Sequence, residues 1–146
     1  MKPLHKIFVF GTLKQGFPNF HLNQGQQLSG QFQTVETYPL YLVGERHGPW
    51  LIHTHGQGFN VQGEIYLLND EQLKFTDEIE REGQVSGYHR RTLKAQNIGG
   101  ETITREFHQA FCYFKLAKQL ESEEIMVGPL DCYQLEHADL YKPFTG

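Results

Sequence analysis

The chain has 146 residues, 38% of them hydrophobic and 21% charged, a size and balance that predict one domain around a single core. Thirteen Lys and Arg against 17 Asp and Glu give a formal charge of -4, which argues against the broad cationic surface that grips a phosphate backbone, so no nucleic-acid partner is expected. Two cysteines, Cys112 and Cys132, with no CxxC pair support neither a disulfide scaffold nor a cysteine-rich zinc site, and no apolar run approaches membrane length, so the expectation is a cytoplasmic protein with no membrane partner.

Fifteen Gly, 11 Phe and 7 Tyr at a mean hydropathy of -0.52 point to a turn-rich, aromatic-packed β structure. Residues 6–10 open with a charge and continue Ile7-Phe8-Val9-Phe10, the pattern of a strand covered on both faces. Two glycines and a proline within residues 11–19 make a loop off that strand end, and residues 20–28 carry the polar spacing of a weak helical turn. Short strands are predicted at 29–36, 40–43 and 50–54, divided by Tyr38-Pro39, Gly44 and the breaker Gly48-Pro49, and this spacing suggests a barrel or a strongly bent sheet. A longer strand at 61–68 sets Val61, Gly63, Ile65 and Leu67 on one face and Gln62, Glu64, Tyr66 and Leu68 on the other.

Asn69-Asp70 caps a helix predicted to run to about Arg81 and to be ended by Gly83. Strands at 88–96 and 103–115 follow, joined as a hairpin by a turn-rich connection at 97–101. Residues 117–124 are charged and helical in character. Beyond Gly128-Pro129 the chain carries Tyr133, Tyr141 and Phe144 without a clear period, a tail able to fold back over the sheet.

At about 100° per residue, Gln72, Phe75, Ile79, Thr76, Glu80 and Leu73 share one helical arc, so Glu80 falls on the inward face. Two readings follow. Glu80 either sits at a frayed helix end or pairs with Arg90 or Arg91, or it is a general base whose pKa its apolar surroundings raise. The turn Phe10-Gly11-Thr12-Leu13 at a strand end can likewise be structural, or a nest of backbone amides for a carboxylate or phosphate; it is not a Walker loop, because no GxxxxGK[ST] frame surrounds it. His53-Thr54-His55 puts two imidazoles on one face of an extended segment, but without a recognisable third ligand they read as surface or hydrogen-bonded histidines, and no metal is expected. Cys112 lies in an apolar run where a thiolate is disfavoured.

In order along the chain, Phe8-Val9-Phe10-Gly11-Thr12-Leu13-Lys14-Gln15-Gly16-Phe17-Pro18-Asn19 resembles a VYGTLKRGxPN segment. Gln62-Gly63-Glu64-Ile65-Tyr66 is similar to an xGEVY strand, residues 73–80 to an LxxLDxxE helix, and Tyr88-His89-Arg90 to a YxR strand start, with Tyr38-Pro39-Leu40, Gly44-Glu45 and Pro49-Trp50-Leu51 at matching positions between. These are the blocks of the γ-glutamyl cyclotransferase-like family, most closely of its γ-glutamylamine branch. The resemblance covers roughly residues 5–115, with residues 116–146 a divergent C-terminal extension of the same single domain.

That resemblance implies an α+β fold, a small mixed, partly closed β-barrel with flanking helices. It also implies a reaction that needs no cofactor, in which the α-amine of a small γ-glutamyl substrate attacks its own γ-carbonyl and releases 5-oxoproline and an amine or amino acid. The family's catalytic glutamate maps onto Glu80 and its substrate-binding turn onto Phe10, Gly11, Thr12 and Leu13. Trp50 is a candidate wall for the leaving group and Tyr88 a candidate hydroxyl in the same cavity. Asp77, one turn before Glu80, either raises its pKa by repulsion or caps a neighbouring backbone group. Two residues depart from the family: Phe10 stands where tyrosine is usual, and Thr76, in place of leucine, is expected to leave Glu80 less desolvated. The alternative is a non-catalytic small-molecule binding protein on the same fold. The oligomeric state is not legible.

Overall fold

The computed structural model describes residues 4–99 and 106–143. Residues 1–3, residues 100–101 of the predicted hairpin connection, residues 103–105 of the strand predicted after it, and Phe144 lie outside the described residues. In chain order the strands are β1 (His5–Val9), β2 (Gln26–Gln27), β3 (Phe32–Tyr38), β4 (Leu40–Val43), β5 (Gly48–Leu51), β6 (Phe59–Leu68), β7 (His89–Asn97), β8 (Phe107–Phe114) and β9 (Ile125–Val127). The helices are α1 (Asp70–Ile79), α2 (Ala117–Leu120) and α3 (Leu135–Ala138), with a 3-10 turn at Phe20–Leu22.

The main sheet runs β1-β8-β7-β3-β6, and β6 pairs back onto β1, so five strands form a ring. Every pairing in it is antiparallel except β1 with β8, which is parallel and holds a single register pair, Ile7 opposite Phe111. The ring is therefore mixed and is narrowest in hydrogen bonding at that seam. A second sheet, β5-β4-β9, packs beside it. No helix among the described residues is long and apolar enough to cross a membrane.

β1 and β6 divide two cores, which is why β1 reads as an unbroken apolar run. Phe8, Phe10, Val61 and Ile65 face a cluster with Phe32, Leu93, Cys112 and Phe114. Ile7, Val9, Tyr66 and Leu68 face another that receives Leu73 of α1. The alternation predicted for residues 61–68 therefore places Val61 and Ile65 correctly, but Tyr66 and Leu68 on the other face are buried too, and Leu67 is only half-buried. α1 covers that second face.

The structure departs from the predicted elements at four places. Gly48 and Pro49 do not break a strand; they lie inside β5, with Leu42 opposite Pro49, because β5 is an edge of its sheet and an edge strand can spare the N–H that proline lacks. Residues 26–27 of the predicted helical turn pair with Leu67 and Tyr66 of β6, a strand too short to leave a periodic signal. Ile125–Val127 add a strand to β4 that the charged stretch before them hid. Finally, α1 ends at Ile79 with Glu80 as its C-cap, short of the predicted end near Arg81, and Gly83 does not end it. Arg81 takes the left-handed conformation, φ 52°, and the bonds Glu82 N to Asp77 O at 2.9 Å and Arg81 N to Glu78 O at 3.2 Å close a Schellman turn.

The tail does fold back. Tyr133 is fully buried in the first cluster, with Leu130 and Ala138 against it, and the buried Lys14 donates from Nζ to Tyr133 O. The residue after the Phe10–Leu13 turn thus anchors the C-terminal segment.

Candidate active site

The Schellman turn fixes Glu80 where α1 meets the ring. Of the arc predicted to face inward, Leu73 and Thr76 are buried and Glu80 lies between them in angle, while Phe75 sits at the partly exposed edge. Glu80 lines a small recess together with Phe10, Gly11, Thr12, Leu13, Pro49, Tyr88 and Tyr113, so the helix end and the strand-end turn face one space. Trp50 does not reach that recess. It lines an adjoining cavity of about 460 Å³, within the range of small-molecule sites, which shares Thr12, Leu13, Pro49, Glu80 and Tyr88 with the recess and adds Arg46, Lys115, Tyr141 and Pro143.

Burial pushes the Glu80 carboxyl up from an ordinary 4.5 to about 7, opposed by the charge of Lys115. Its place at a helix C-terminus, where the macrodipole disfavours an anion, acts in the same upward direction. Among the described residues no hydrogen-bond donor engages this carboxylate. The ion pair with Arg90 or Arg91 does not form. Arg90 Nη1 bonds instead to Asp77 Oδ2 at 2.7 Å, and Arg91 donates to a backbone carbonyl. Asp77 also accepts from the Tyr113 hydroxyl at 2.6 Å, so its side-chain oxygens are taken by Arg90 and Tyr113 and cap no backbone group among the described residues. It ties α1 to β7 and β8. Asp77→Asn is expected to cost about 1–3 kcal/mol in urea unfolding, because a charged acceptor with two partners is lost.

Thr76 does not weaken the desolvation as expected. It is 2% exposed and its Oγ1 donates to Gln72 O at 2.8 Å, so its hydroxyl is satisfied within the helix. Phe10 belongs to the core and also lines the recess, and the hydroxyl that tyrosine would bring has no counterpart here.

The turn keeps its shape through its carbonyls: Lys14 N bonds to Gly11 O at 3.1 Å and Asn19 N to Thr12 O at 2.9 Å. The N–H groups of Gly11, Thr12 and Leu13 donate to no acceptor among the described residues. Glycine is required at position 11 by close approach, since a Cβ there would stand 2.8 Å from Pro49 Cγ. Pro49 in turn accepts the Tyr88 hydroxyl at 3.1 Å, and Tyr88 N bonds to Glu80 O at 3.0 Å. Turn, edge strand and glutamate are therefore one connected unit.

His53 and His55 lie apart from this unit. The His53 ring packs 4.6 Å from that of Phe114, and His55 stands 3.7 Å from Glu36. Among the described residues no three His, Cys, Asp or Glu gather as metal ligands. Pro49, Tyr113, Lys115 and Tyr141 escaped the sequence reading as site residues. Pro49 and Tyr141 entered it as a strand breaker and a tail aromatic, and Lys115 follows directly on the apolar run of residues 110–114.

A family profile described as gamma-glutamyl cyclotransferase, AIG2-like, matches residues 7–138. Gamma-glutamylaminecyclotransferase of Rattus norvegicus is 43% identical over 100 residues, 65% of this chain and 66% of the relative. The Homo sapiens protein of the same name is 43% identical over 79 residues, 51% of this chain and 52% of the relative, so the match spans less than two thirds of either. A crystal structure of an AIG2-like protein from Mus musculus, 31% identical, covers 98% of both chains with a TM-score of 0.80. The motif order, the ring of strands and the full-length structural match lead to one conclusion: the chain belongs to the gamma-glutamyl cyclotransferase, AIG2-like family.

Proposed function

We propose that this protein is a γ-glutamyl cyclotransferase that releases 5-oxoproline and a free amine from a γ-glutamylamine, with Glu80 as base and then acid. The observation that carries the reading is a carboxyl raised by burial to about 7 that lines one recess together with the Phe10–Leu13 turn at the end of β1. The names of the rat and human relatives support an amine leaving group.

The substrate's α-ammonium is no nucleophile until it loses a proton, and a carboxylate with a pKa near neutrality is matched to that transfer. The Gly11, Thr12 and Leu13 amides hold the α-carboxylate as donors fixed before binding. Attack of the α-nitrogen on the γ-carbonyl forms the ring's C–N bond, and collapse breaks the bond to the leaving nitrogen. The α-ammonium gives up two protons in becoming a ring amide, and the departing nitrogen gains two in becoming an ammonium. Glu80 carries them across and ends as it began. Because nucleophile and electrophile belong to one molecule, holding it curled supplies much of the rate, with effective molarities of about 10⁵ M or more for such closures. The outer cavity, walled by Trp50, Tyr88 and Tyr141, receives the leaving group.

We further propose one domain for the whole chain, residues 116–146 being its C-terminal extension, supported by Tyr133 in the core. The free thiols of Cys112 and Cys132 support a reducing, cytoplasmic setting.

The test is 5-oxoproline release from γ-glutamyl-ε-lysine, γ-glutamyl alkylamines and γ-glutamyl dipeptides. Release from the amines is expected; none from any member would overturn the reading. The kcat/KM profile is expected to rise with pH through about 7 as Glu80 ionises. A profile flat between pH 5.5 and 8 would remove Glu80 as the base.

A further inference from the structure

Lys115 is the residue the proposed chemistry leaves unexplained. It is 5% exposed. Its Nζ stands 4.4 Å from the centroid of the Trp50 ring and 4.4 Å from that of Tyr88, and it donates to Ser86 O at 2.9 Å. The backbone beneath it is fixed separately, because Lys115 N donates to Leu51 O and Lys115 O accepts from His53 N, each at 2.9 Å. The seam between β5 and the end of β8 therefore sets the ammonium in place. The end of α1 sets Glu80, and residues 81–88 bridge the two through Tyr88 and Ser86. A methionine would cover the same two rings without taking an ammonium out of water. The charge is the property that distinguishes lysine here. Glu80 is the only carboxylate among the described residues lining either the recess or the cavity.

We propose that Lys115 is a positioning residue for Glu80: its ammonium, clamped between Trp50 and Tyr88 on the shared cavity wall, holds the glutamate in the ionised, proton-accepting form. This rests on the reading of Glu80 as the base. Burial drives the two groups toward neutrality, Glu80 up and Lys115 down to about 8, and the charge of each opposes the shift of the other. Glu80 also acts on Tyr88 of the loop and on Cys112 and Tyr113 of β8, all kept neutral by burial. Lys115 is further supported by Glu123 and opposed by Arg46 and Arg81. Among these groups, the Lys115 charge opposes the upward shift of the Glu80 carboxyl.

Two measurements test this. In the first, kcat/KM is followed against pH for the native chain, Lys115→Met and Lys115→Arg. The acid limb is expected to move upward by about one pH unit or more in Lys115→Met and to stay near its native position in Lys115→Arg. A merely structural lysine would lower the rate without moving the limb, and a Lys115→Met limb superposing on the native one overturns the proposal. The second measurement needs no change at position 115. The Lys115 side chain is titrated by carbon-13 NMR in the native chain and in Glu80→Gln, and coupling being reciprocal, its midpoint is expected to fall when the Glu80 charge is removed. An unchanged midpoint overturns the proposal even if Lys115→Met fails to fold. A native chain that releases no 5-oxoproline overturns the functional reading instead, a result the NMR titration keeps separate.

Discussion

Glu80→Gln is expected to lose about 10³-fold in kcat and to be more stable than the native chain above pH 7. The activity loss is the size of a general base removed, since the amide occupies the same volume but accepts no proton. The stability gain follows from the raised carboxyl. Below pH 4.5 the group is protonated whether the chain is folded or unfolded, and it contributes no difference. Between 4.5 and about 7 the unfolded chain ionises first, so the native protein loses stability relative to the variant, and above about 7 the loss is complete. At about 1.4 kcal/mol per unit of pKa, the full difference is up to about 3 kcal/mol. Urea unfolding of both proteins at pH 4 and pH 8, beside 5-oxoproline release, measures it. A variant as fast as the native chain removes Glu80 from the proposed mechanism. A stability gain equal at both pH values would trace to amide packing and not to a buried charge. Loss of function joined to gain of stability is what a site that holds a costly group for its chemistry predicts.

Gly11→Ala is expected to raise KM for γ-glutamyl substrates about tenfold or more and to cost about 1–3 kcal/mol of stability. The added Cβ meets the Pro49 ring at 2.8 Å, and a proline ring is no flexible side-chain tip. Either the turn backs away, which displaces the amides proposed to hold the substrate carboxylate, or β5 moves. If β5 moves, the Tyr88 hydroxyl loses its acceptor, Pro49 O. Both routes loosen substrate binding, so the effect falls on KM first. Steady-state kinetics with a urea titration measures both. Unchanged KM with reduced stability would show that the turn is structural and that the substrate carboxylate is held elsewhere.

The sequence alone determined what depends on near neighbours. β1 is an unbroken apolar run because it is covered on both faces. Asn69 and Gln72 form the capping box that starts α1, and the helical period turns Glu80 inward. Motif order along the chain carried the family. Element ends were less legible. The helix stops at a left-handed Arg81 where glycine is usual, and Pro49 sits within an edge strand, because tertiary contacts override the local preference of each residue.

Only the tertiary structure decided how the candidates are partnered. Helical spacing leaves Glu80 able either to pair with Arg90 or Arg91 or to stay unpaired. The fold settles this by giving Arg90 to Asp77, with Tyr113 as that carboxylate's second partner. Nothing in the sequence near Gly11 shows that Pro49 closes over it, nor near Glu80 that Lys115 lies along the same wall. The members of each pair are separated by 38 and 35 positions, and no local period records their nearness. The sequence therefore fixes which side chains are held inward, through periodicities of two and 3.6 residues. The closure of the ring decides which charges meet there, and so which of them pair.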